Sequence, residues 1–178
     1  VLRISAAKRH LLTAIGFCDH GWCKNPAVKA AWLASVMNTR ITVPKNVGLV
    51  ADDGKWGISL EPNGDLAAYD GVTRLEPDRY SGYTVGSIAD GSALIILTAG
   101  DVASQGDLCL AALIAHEALH PIEKVANLRM GMVLGMPKVP AGIANMSYFG
   151  DNELHRGIAA MADSVAGVSP TCSVDPSQ

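Results

Sequence analysis

The chain has 178 residues, 49% hydrophobic and 17% charged, which is enough for one domain with a sizeable core and too apolar for a disordered segment. Fourteen Lys and Arg against seventeen Asp and Glu leave a net charge of −3 with no long run of one sign. A nucleic-acid partner is therefore not expected, and the apolar stretches are too short for a membrane span.

Residues 6–17 and 26–37 repeat apolar side chains at helical spacing, and Pro26 suits a first helical turn. The N-terminal part, residues 1–40, is thus predicted to be helical, with a turn at Cys18-Asp19-His20-Gly21-Trp22-Cys23. Over residues 41–98 short apolar runs alternate with turn signals: Asp52-Asp53-Gly54, Pro62-Asn63-Gly64-Asp65 and Tyr69-Asp70-Gly71. That pattern predicts a small, mostly antiparallel sheet of hairpins whose last and strongest strand is 92–98. Ser104 with Asp107 resembles a capping box and opens a helix predicted over 104–120, apolar almost all round. After a Gly-, Met- and Pro-rich stretch, a last helix is predicted over 152–166, with Asp151 as N-cap and Gly167 as stop. The expected class is α+β, one domain over 1–178.

The chain starts at Val1 with no Met and no signal-like segment, as in a processed mature protein or a piece of a larger parent chain. Cys18, Cys23, Cys109 and Cys172 allow three pairings. Two bridges are expected in an oxidising compartment, Cys18–Cys23 because it is local and Cys109–Cys172 by remainder; four buried thiols are the alternative.

The chemistry lies in His116-Glu117-Ala118-Leu119-His120. Residues four apart share a helix face, so His116 and His120 can offer two imidazoles to one cation. Zinc takes neutral imidazole, and a catalytic site uses three protein ligands and an open place. Glu117 is left to act as general base on the attacking water and to pass the proton to the leaving amine. The preceding run, residues 108–115, has almost no polar face, and a carboxylate and two imidazoles are costly there unless something binds them.

This motif, its helix and the strand before it resemble the zincin metallopeptidases, over roughly residues 92–166. The resemblance implies a zincin-like fold, one catalytic Zn²⁺, a peptide or protein substrate, and an edge strand, here 92–98, that pairs with extended substrate. Pro121-Ile122-Glu123 follows His120 in place of a metzincin extension, whereas Asn152-Glu153 looks like the Asn-Glu pair of gluzincins, making Glu153 the expected third ligand. The companion Asp expected four residues later is Gly157. Glu153, Gly157, Ala160 and Ser164 also share one helix face, small enough to approach the alanine-rich active-site helix. Glu123, Asp151 and Asp163 stay open as rivals, with Pro121 counting against Glu123 because it disfavours helix at that point. Tyr148 and His155 are candidates to stabilise an oxyanion.

Two other functions fit the same residues. One is a non-catalytic or effector module with a structural zinc closed by Glu123 or His155; the other is a metal-dependent amidase acting on cell-wall peptides. A secreted or periplasmic location, with an inhibitor or immunity partner, would suit the paired cysteines.

Overall fold

The computed structural model describes residues 1–52, 54–75, 80–86, 91–122, 153–168 and 172, without the side chains of Glu153, Leu154 and Arg156. In chain order the elements are α1 (Leu2–Phe17), α2 (Pro26–Asn38), β1 (Arg40–Thr42), β2 (Gly48–Asp52), β3 (Gly57–Leu60), β4 (Leu66–Asp70), β5 (Thr73–Arg74), β6 (Gly82–Val85), β7 (Leu94–Leu97), α3 (Ala99–Ser104), α4 (Asp107–Leu119) and α5 (Glu153–Ala166). The chain is α+β.

Helix α4 is central. Every residue from Leu110 to Leu119 is buried, which explains a helix without a polar face. Helix α1 turns Ala7, Leu11 and Ile15 inward, and α2 adds Val28, Trp32 and Val36 to the same core. Two side chains of α2 also donate to the last turns of α4: Trp32 Nε1 to the Ala115 carbonyl at 3.2 Å, and Ser35 Oγ to that of Ala118 at 2.6 Å. Asn25 caps α2 through the amides of Ala27 and Val28. Leu110, Ile114 and Leu119 are 0% exposed. Truncating such a side chain to Ala costs about 2–5 kcal/mol.

Two sheets form among the described residues. β2, β3, β4 and β5 make an antiparallel meander, with Gly64 and Gly71 at positive φ in its turns. The other sheet has the order β1-β7-β6, with β1 parallel to β7 and β6 antiparallel to it. Strand β7 is therefore the middle strand, not the expected edge. Ile95 and Leu97 face the helical core while Ile96 faces the second core under the meander, so both faces are covered and the run is continuously apolar. The outer strands of this sheet are β1 and β6.

The helix predicted over 104–120 is α4, Asp107–Leu119, and a separate short helix, α3, precedes it. Thr98 caps α3 through the Asp101 amide, and α4 begins after Gly106 with no side-chain cap, so Ser104 and Asp107 form no capping box. Arg3 stabilises the break: its guanidinium donates to the carbonyls of Val102, Ala103 and Gln105 at the end of α3 and pairs with Asp107. At the other end α4 gives way to a 3-10 turn, His120–Ile122, where Pro121 was expected to end it. His120 nevertheless keeps helical backbone at φ −57°, ψ −45°. Helix α5 stops at Gly167 (φ 78°), whose amide, with that of Val168, closes on the Asp163 carbonyl. Asp151, its expected N-cap, lies outside the described residues.

Both disulfides have the expected pairing, Cys18–Cys23 and Cys109–Cys172. No described helix is long and apolar enough to cross a membrane.

Candidate metal centre

The Cys109–Cys172 bridge ties the first turn of α4 to the chain just beyond α5, so the two helices run antiparallel. The start of α5 thereby meets the end of α4. At that junction the Nε2 of His116 lies 2.9 Å from the Nε2 of His155 and 3.2 Å from the Nε2 of His120. Each of the three histidines offers one ring nitrogen, and these all lie within 4.8 Å of one another. Among the described residues no fourth His, Cys, Asp or Glu joins the group.

The neutral state of His116 suits a metal. Burial, and then the charges of His155 and His120, hold the His116 imidazole well below its ordinary pKa. His116 is thus neutral around pH 7, as a metal ligand must be. One ring N–H can serve only one neighbouring lone pair, whereas a cation satisfies three converging nitrogens together. Tetrahedral ligands about 2.0–2.1 Å from zinc stand roughly 3.3 Å apart, close to the spacings of His116 from its two neighbours.

Glu117 is buried at 5% exposure, turned toward β6. Thr84 Oγ1 lies 2.6 Å from its Oε2 and 3.0 Å from its main-chain carbonyl. A Cβ on Gly82 would stand 2.9 Å from Oε1 and 3.1 Å from Cγ of the same residue, so only glycine leaves that carboxylate its place. The strand pleat puts Gly82 and Thr84 on one face, and Tyr83 and Val85 on the other, in the second core.

Of the residues expected from sequence, His116, Glu117 and His120 lie together at the end of α4. His155 joins them as a ring nitrogen in the histidine group, a different place from the oxyanion role expected of it. Glu153 opens α5 but its side chain lies outside the described residues, as do Tyr148, Glu123 and Asp151. Asp163 does not join the group. Of the small face expected on α5, Gly157 and Ala160 are buried. Ile158, Met161, Ala162, Val165 and Ala166 form an apolar stripe in the core, and Ser164 Oγ meets His20 Nε2 at 2.8 Å. His155 falls three residues before Ile158 and seven before Ala162, on the side of that apolar stripe. That stripe was the available signal for His155. Gly82 and Thr84 had none, since only the tertiary fold brings β6 to Glu117. Comparison with protein-family models, with curated proteins and with solved structures finds no match.

Proposed function

We propose that this protein is a zinc-dependent metallopeptidase of the zincin type, in which His116, His120 and His155 hold the metal and Glu117 is the general base. The reading rests above all on the convergence of three ring nitrogens beside a buried glutamate one residue past the first of them. His155 takes the ligand place that the gluzincin resemblance gave to Glu153, because its ring nitrogen lies with those of His116 and His120. The donor set suits zinc: three imidazoles, one of them held neutral by burial. A zinc ion bound there would lower the pKa of water and polarise a scissile carbonyl.

The protein's own groups do the rest. Glu117, held in place on the β6 side, takes a proton from the attacking water and returns it to the leaving amine. An extended peptide would add to β6, the outer strand that meets Glu117, where main-chain pairing would fix the register of the scissile bond. Three protein ligands would leave a fourth place for water, the form of a catalytic centre rather than of a structural zinc site. Two disulfides suit an oxidising compartment, so we place the protein outside the cytosol.

The test is metal analysis together with cleavage of an unfolded protein, with and without chelator. The proposal expects one zinc per chain and cleavage that a chelator abolishes and added zinc restores. Cleavage indifferent to chelation would refute it.

A further inference from the structure

We propose that Thr84 is the positioning residue of Glu117: its hydroxyl, fixed by the stiff rotamer of a β-branched side chain in β6, holds the Glu117 carboxylate in one orientation. This rests on the reading of Glu117 as general base. Three observations carry it. The contact of Thr84 Oγ1 with Oε2 is 2.6 Å, the length of a hydroxyl donating to a carboxylate. The same oxygen is 3.0 Å from the Glu117 carbonyl. That carbonyl would bond the amide of residue 121 in a continuing helix, but Pro121 has no N–H to give. Thr84 therefore occupies a place made by the proline, with its single O–H within reach of both the carbonyl and the carboxylate of the base and closer to the carboxylate.

Gly82 completes the arrangement from the same face of the strand. Having no Cβ, it admits the carboxylate to a gap bounded by Leu97, where an alanine would stand 3.1 Å from the Leu97 Cδ2. A glutamate side chain has three rotatable bonds, and a base must stand within hydrogen-bond reach of the proton it takes. Strand β6 thus fixes an orientation that α4 alone would leave to several rotamers. The threonine methyl contributes stiffness and the hydroxyl contributes the bond, so the two can be separated by substitution.

The experiment compares the full-length wild type with Thr84→Val, Thr84→Ser and Glu117→Gln. Zinc affinity is measured by competition with a chromophoric chelator, and turnover with a quenched fluorogenic peptide taken from a site cleaved in denatured casein. A general base contributes about 10²–10⁴ in rate, and misplacing it forfeits part of that. Thr84→Val is expected to lower kcat by about tenfold to a hundredfold, with KM and zinc affinity changed less than about twofold. Thr84→Ser, which keeps the hydroxyl, is expected to stay within about threefold of wild type. A readout independent of turnover is the visible spectrum of the cobalt-substituted proteins. There Thr84→Val should resemble Glu117→Gln, and Thr84→Ser should resemble wild type. A Thr84→Val protein with wild-type kcat and a wild-type cobalt spectrum overturns the inference, as does a loss of kcat matched by an equal loss of zinc affinity. If no variant cleaves any peptide, the metallopeptidase reading fails on its own, and the cobalt spectra still decide whether Thr84 holds Glu117.

Discussion

Replacing His155 by Ala separates the two candidate third ligands on α5. Structural zinc in small four-ligand sites is bound by about 10–16 kcal/mol, so one ligand among several is worth roughly 3–4 kcal/mol. At 1.4 kcal/mol per factor of ten, its loss should weaken zinc binding by about 10²–10³. The geometry places the effect at the high end, because His155 Nε2 stands 2.9 Å from His116 Nε2 and no fourth described residue can replace it. Glu153→Ala should change zinc affinity by less than about threefold, the size of a charge change near a helix start. Chelator competition at fixed pH gives both constants, and a thermal melt of each metal-free variant checks that the fold survives. The opposite ranking, with Glu153→Ala abolishing binding and His155→Ala tolerated, would refute the three-histidine centre and restore the gluzincin arrangement.

The remaining predictions concern stability and access to the base. The folded-state pKa of His116 is depressed, so below about pH 6.5 the unfolded chain binds the extra proton. Metal-free protein should therefore lose stability as pH falls from about 6.5 toward the folded pKa, by up to roughly 1.4 kcal/mol per pH unit, with no contribution from this group above that window. Denaturant midpoints across pH should show the slope in wild type and a flatter one in His116→Gln; equal slopes would contradict it. Removing Cys109–Cys172, which spans 63 residues, should cost about 4 kcal/mol by loop entropy, against about 2 for Cys18–Cys23, which spans five. Melts of the paired Cys→Ser variants rank the two, and a reversed order would show that α5 does not depend on its bridge. Gly82→Ala should keep zinc and lower turnover by about tenfold, because its Cβ would press on the Glu117 carboxylate; unchanged turnover would show that the carboxylate has room to move.

What could be read from the sequence follows from how local each feature is. The HExxH motif needs only one helix, and the i, i+4 rule is enough to bring His116 and His120 together. Helices α1 and α2 announce themselves by apolar period and by Pro26, and the hairpin turns by Gly64 and Gly71. The local Cys18–Cys23 bridge follows from a spacing of five residues. Features decided by the tertiary fold did not show. β7 looks the same as a covered edge strand or as a central one, and the parallel partner β1 lies more than fifty residues earlier. The break between α3 and α4 depends on Arg3, at the far end of the chain. His155 was visible in the apolar stripe of α5, but the small-residue face of Gly157 and Ala160 was the more conspicuous cue and pointed to Glu153. Thr84 and Gly82 become meaningful only once β6 lies beside Glu117.

The central claim, that this is a catalytic zinc site with Glu117 as its base, is tested most directly by Glu117→Gln. Zinc content and cleavage of denatured casein should be measured on the same preparation of wild type and variant. The account predicts one zinc per chain in both, and hydrolysis in the variant reduced by about 10²–10⁴. A zinc-loaded Glu117→Gln protein that cleaves at the wild-type rate would contradict it.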